Sequence, residues 1–135
     1  MRAFVVPGKP QGKARARTVT QGGHVHSYTP SRTMEAERTI AWAYREQCHG
    51  PLMEGPLSLS VLAVFEPPKS WPKKRREAAM ETPHTQKPDW DNVGKLVSDS
   101  LEGVAYMNDS QIAGGSVRKV WGSPTRMDVT LEEMR

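Results

Sequence analysis

Apolar residues follow two rhythms along this chain. Leu57, Leu59, Val61, Ala63 and Phe65 alternate, as the inner face of a strand does. Leu62 and Val64 make its second face partly apolar, which fits a central strand covered on both sides. Phe4-Val5-Val6 reads as an earlier strand ended by Pro7-Gly8, and Thr18-Val19-Thr20 with His24-Val25-His26 as a hairpin turning at Gly22-Gly23. Ser116 to Trp121 and Met127 to Leu131 predict two last strands, and Gly122-Ser123-Pro124 between them suggests a hairpin. The other rhythm is helical. Met34, Ile40, Ala41, Tyr44 and Cys48 form one stripe, started by Thr29-Pro30-Ser31, running to about His49 and stopped by Gly50-Pro51. Ser70 to Met80 predicts a short helix, and Thr82 to Lys87 a loop. From Asn92 to Glu102 a further helix puts Val93, Leu96, Val97, Ser100 and Leu101 on one side, with Gly103 just past its end. Asp91, Lys95, Asp99 and Glu102 share an arc of about 80° on the other side. The order β-β-β-α-β-α-α-β-β implies an α+β (mixed α/β) fold, one mixed sheet with packed helices in a single domain of residues 1–135.

An apolar share of 36% supports one small core and leaves room for a solvated arm or for a second copy that buries surface. No run approaches the length of a membrane span, and Met1 to Pro7 is too short in its apolar part for a signal peptide. The single cysteine, Cys48, excludes an intrachain disulfide and fits a reducing cytoplasm; on the helical stripe it reads as a small core residue. With a formal charge of +4 and a pI near 9.4, the chain suits a negative polymer as partner. Lys9, Lys13, Arg15 and Arg17 fall in an acid-free run, and Lys73-Lys74-Arg75-Arg76 forms a second cluster. Such runs are often plain solvated surface, but the glycine-proline setting favours contact with a phosphate backbone.

The densest chemistry lies in Lys87-Pro88-Asp89-Trp90-Asp91-Asn92-Val93-Gly94-Lys95, followed by Asp99 and Asp109. Two acids stand two residues apart, just before and at the expected helix start. Asp109 sits in the polar turn Asn108-Asp109-Ser110-Gln111, where a reversal would bring it back to them. Gathered carboxylates repel one another unless a cation binds, and Mg²⁺ prefers such oxygen donors. A bland alternative is an N-cap followed by a solvated i,i+4 ladder of Asp91, Lys95 and Asp99. A calcium loop does not fit, because Val93 and Ser100 stand where ligands are needed. The spacing of Lys95 from Asp91 also departs from the usual restriction-type nuclease core. His24 and His26 lack further metal ligands nearby and read as surface or DNA contact. Trp90 reads first as a packing residue, with a wedge at DNA as the other possibility.

These residues resemble the RusA family of phage and prophage Holliday junction resolvases. The likeness rests on the Lys87 to Lys95 segment, Asp99-Ser100-Leu101, and Asn108-Asp109-Ser110-Gln111-Ile112. Gly8-Lys9-Pro10 with the following basic residues, and Tyr28-Thr29-Pro30, add to it. The resemblance implies a homodimeric, Mg²⁺-dependent endonuclease that cuts four-way junction DNA in a bacterial cytoplasm, with Asp89, Asp91 and Asp109 as catalytic metal ligands and Lys95 as an essential lysine. Family members often carry two acids in the last motif, and here the first is Asn108. Two other readings stand beside this one: a non-catalytic DNA-binding dimer, and a metal-dependent nuclease for other branched DNA.

Overall fold

The computed structural model describes residues 1–14, 17–28 and 30–135, apart from the side chains of Arg17, Val19, Gln21, His26 and Tyr28. The expected cap Thr29 and the basic Arg15 lie outside the described residues. The elements are β1 (Arg2–Pro7), β2 (Arg17–Gln21), β3 (His24–Tyr28), α1 (Ser31–Gln47), β4 (Leu57–Phe65), α2 (Lys73–Ala79), α3 (Trp90–Leu101), a 3₁₀ turn (Asp109–Gln111), β5 (Ile112–Trp121) and β6 (Arg126–Glu133). Their order is the one the hydrophobic pattern predicts, and the fold is α+β.

Four strands form a mixed sheet in the order β1-β6-β4-β5, and β2 with β3 forms a separate ribbon. β4 is the centre, antiparallel to β6 and parallel to β5. Its whole inner face is buried, from Leu57 to Phe65, and Val64 on the other face is buried as well. The expected hairpin between β5 and β6 does not form. Residues 122–125 carry the chain past the end of β4, and the two strands flank it instead of pairing. Alternation reports which face a residue occupies and is silent about which strand lies alongside. At the start of β5 the register slips between Leu57 and Ser58. Gly115 there has φ of +140°, and a Cβ on it would lie 1.8 Å from the Leu59 carbonyl oxygen, so the chain passes only because no side chain is present. On the edge strand β1, the Gln47 amide serves Val5 twice, accepting from its N–H at 2.8 Å and donating to its carbonyl at 2.7 Å.

α1 and α3 pack on each other, with α1 against β1 and α3 against β4 and β5. α3 buries Val93, Leu96, Val97, Ser100 and Leu101, the predicted set. Truncating a side chain as deep as Leu96 to alanine costs about 2–5 kcal/mol in such cores. On α1 the buried face is Thr33, Ile40, Ala43 and Tyr44, while Met34 is exposed, so the stripe is rotated from the expected one. Tyr44 meets Phe4 edge-on at 5.5 Å and accepts from Arg2 Nη1 at 2.6 Å. Cys48 is a buried free thiol, as expected of a core residue. Among the described residues no helix is long and apolar enough to cross a membrane.

Candidate active site

The core anchors α3 by its apolar side and leaves both of its ends at the surface. At the N-terminal end Asp89, in extended backbone, takes the N-cap position without a side-chain cap bond, and Asp91 falls in the first turn. The helix thus begins ahead of the expected Asp91 cap. Exposed N–H groups and the helix dipole favour negative charge at this end. Asp89, Trp90, Asp91 and Lys119 line one shallow recess of about 340 Å³. Lys87 reaches both Asp89 oxygens at 3.0 Å, yet its side chain is 85% exposed. The Asp91 carboxylate makes no hydrogen bond or ion pair among the described residues. Trp90 does not pack into the core; at 64% exposure it stands in the solvent between the two acids.

Lys119 is a site residue that sequence reasoning did not single out. Its ammonium donates to the carbonyls of Gln86 at 2.6 Å and Pro88 at 2.5 Å, which straps the loop carrying the acids onto β5. A cation among Val117, Val120 and Trp121 was the available signal. The segment from Lys9 to Ala14 lies against the same helix end. Lys13 N–H donates to Asn92 O at 2.9 Å, and a Cβ on Gly12 would come within 3.0 Å of Asn92 and Pro88.

The C-terminal end of α3 also carries acids, each with a structural partner. Asp99 accepts ion pairs from Lys13 at 3.3 Å and from Lys95 at 3.6 Å. Lys95 therefore leans along the helix toward Asp99. Lys13 also pairs with Glu37 at 2.9 Å. Burial works against its charge, but Glu37 and Asp99 outweigh that and raise its pKa. Lys13 is thus a clamp between the N-terminal segment, α1 and α3, and less available to a phosphate than the sequence implies. Glu102 accepts from the Asp109 N–H at 2.9 Å, and Tyr106 donates to Ser98 O at 2.6 Å. Burial, followed by Asp109, Glu102 and Asp99, pushes the Tyr106 phenol well above its ordinary range. Asn108 caps the 3₁₀ turn, accepting from Ser110 N–H at 2.9 Å, while Gln111 accepts from the Asn108 N–H at 3.1 Å. The residue that departs from the family pattern therefore has a structural task.

α3 has 12 residues, and at 1.5 Å per residue it spans about 18 Å. The reversal at residues 108–111 sets the Asp109 N–H on Glu102, at the C-terminal end of α3, whereas Asp89 and Asp91 stand at its N-terminal end, so the expected return of Asp109 to them is not seen. Among the described residues no three His, Cys, Asp or Glu side chains form a metal-holding group.

The second basic cluster lies on α2. Arg75 places its guanidinium 3.7 Å over the Trp71 ring, Lys73 pairs with Glu77 at 3.8 Å, Lys74 is exposed, and Arg76 is half-buried. The Arg17 and His26 side chains, like Arg15, fall outside the described residues, and His24 sits at the start of β3.

The family Endodeoxyribonuclease RusA matches residues 7–132 of the 135. The chain belongs to the RusA family. It is also similar to Uncharacterized protein YqaN of Bacillus subtilis (strain 168), at 30% identity over 135 residues, covering 97% of this chain and 95% of that protein. The RusA match spans the Lys9 to Ala14 segment, both ends of α3, Lys119 and the 3₁₀ turn, so the candidate site lies wholly inside it. RusA membership places the chain among endodeoxyribonucleases.

Proposed function

We propose that this chain is a Mg²⁺-dependent endodeoxyribonuclease that resolves Holliday junctions by a symmetric nick in each of two strands. The observation that carries the reading is the pair Asp89 and Asp91, exposed together on one recess at the end of a core-anchored helix, with Lys87 and Lys119 beside them. This donor set fits Mg²⁺, which takes one or two carboxylates and completes its shell with water and substrate phosphate. When bound there it would supply an activated water and neutralise charge on the scissile phosphate. Lys87 is exposed enough to leave Asp89 for that phosphate. Lys119, fixed by two carbonyls, holds positive potential at the recess without having to reorganise. Lys95 would meet charge on the phosphate by turning away from Asp99.

Asp109 joins this chemistry only through a second copy of the chain. Two α3 helices related by a two-fold axis can set the N-terminal acids of one against Asp109 of the other. A homodimer of this kind also supplies one site for each of two symmetric scissile strands. Lys9, Lys73, Lys74, Arg75, Arg76, Arg15 and Arg17 would contact the DNA backbone, with Lys13 positioning the segment that carries Lys9.

The test is cleavage with Mg²⁺ on a synthetic four-way junction beside nicked, flap and linear duplex DNA. Paired symmetric nicks in the junction alone are expected. Preference for the flap would make the chain a nuclease of other branched DNA, and no cleavage of any substrate would leave a DNA-binding dimer.

A further inference from the structure

The loop that leads into Asp89 also walls a second cavity, of about 350 Å³. Its floor is a stack of flat rings. The His84 imidazole lies on Phe65 with centroids 3.8 Å apart and planes 14° apart, and Trp121 tilts against His84 at 4.3 Å. His84 is only 6% exposed, and its Nδ1 is buried with no hydrogen-bond partner among the described residues. Burial, followed by the Lys119 charge, lowers its pKa to about 4, so the ring is neutral near pH 7. The walls are polar where the floor is not. Gln86 and Glu66 line them, with Glu66 accepting from Ser123 Oγ at 3.1 Å. Two cations, Lys9 and Lys87, complete the lining. Lys87 is the same side chain that pairs with Asp89, so the cavity and the acid recess are neighbours joined by one lysine.

A neutral aromatic floor, polar groups in the wall and lysines nearby together match a flat heteroaromatic ring carrying a phosphate. A closed packing cluster would need neither the opening nor the cations. We infer that this cavity receives a nucleobase that leaves the stack at the branch point, next to the phosphate addressed by Asp89 and Asp91. The inference rests on the endonuclease reading above and deepens it. A base at a branch point has already lost part of its stacking, so it leaves the helix more readily than one within a duplex. The cavity thereby supplies a physical reason for a preference for branched DNA over linear duplex.

The test fills the cavity from its wall. Gln86 and Glu66 are both exposed, so Gln86→Trp and Glu66→Trp place bulk into it from residues outside the core. Each variant is assayed for single-turnover cleavage with Mg²⁺, junction affinity and thermal melting. The substrates are an intact four-way junction and one with an abasic residue next to the cleaved bond. The expected result is cleavage of the intact junction at least tenfold slower than wild type, with affinity within threefold and melting unchanged. On the abasic junction, wild-type and variant rates should converge to within twofold, because no base remains to be housed. Wild-type cleavage of the intact junction by both variants would overturn the inference, as would a defect that persists on the abasic junction. If the wild-type protein itself fails to cut the intact junction, the endonuclease reading falls first, and that result is distinct from the other two.

Discussion

The two ends of α3 carry similar residues in dissimilar circumstances. At the C-terminal end Asp99 is held by Lys13 and Lys95, and Glu102 by the Asp109 N–H. These charges hold the N-terminal segment and the 3₁₀ turn in place. Among the described residues, Asp89 at the N-terminal end has only the exposed Lys87, and Asp91 has no partner. A carboxylate with a fixed partner serves stability, and one without it remains free to meet a cation and a phosphate. Asp109 belongs to the first group by position and to the second by chemistry: its N–H is engaged, while its carboxylate makes no bond among the described residues.

The sharpest break in this comparison comes from the acids themselves. Asp89→Asn, Asp91→Asn and Asp109→Asn should each lower cleavage about a thousandfold, as loss of a metal ligand worth several kcal/mol implies, while junction binding persists. Mixing Asp91→Asn with Asp109→Asn protein then decides how the ends cooperate. A site shared between copies regains one intact centre in each mixed dimer and nicks one strand, whereas a site within one chain stays dead in every mixture.

Next in size is Lys95→Ala, expected to lose about a hundredfold in single-turnover rate with little change in melting. Lys95→Arg should rescue poorly, because a planar fork does not place charge as a compact ammonium does. Full activity in Lys95→Ala would return Lys95 to its pairing with Asp99. Trp90→Ala should weaken junction binding by roughly tenfold, within the 1–3 kcal/mol of a base stacked on an aromatic side chain. The exposure of Trp90 predicts an unchanged melting temperature, and a lowered one would assign it to packing after all. The smallest effect is expected at the other end. Tyr106→Phe removes the bond to Ser98 and should cost about 1 kcal/mol of stability by denaturant titration, with the cleavage rate intact. A large loss of cleavage there would erase the division between the two ends.

Much of this was legible in the sequence. The bounds of β4 and the buried face of α3 follow directly from periodicity, since side-chain direction repeats every two or every 3.6 residues. Strand neighbours do not follow, which is why β5 and β6 read as a hairpin although β4 lies between them. Asp89, Asp91 and Lys95 stood out by local spacing. The separation of Asp109 from them was within reach too, because a helix of known rise lies between. Asn108 reads as a missing charge until its partner Gln111, three residues on, is recognised as half of a capping box. Lys119 and His84 were not legible. Their significance comes from contacts with Pro88 and Phe65, about thirty and twenty residues away in the chain, and no local pattern reports such meetings.

The straddled sheet has a consequence for the order of assembly. β1 pairs with β6 alone in the sheet, Arg2 against Leu131, so the earliest strand waits for the latest. The central β4 likewise gains its neighbours only from residues beyond 111. During synthesis β4 emerges with apolar faces whose strand neighbours have yet to be made, and the sheet closes only once β6 has left the ribosome. Contacts so distant in sequence make for slow, late and cooperative closure. A chain cut short before Arg126 would lose the strand that joins β1 to β4, and would expose those faces as a surface for aggregation.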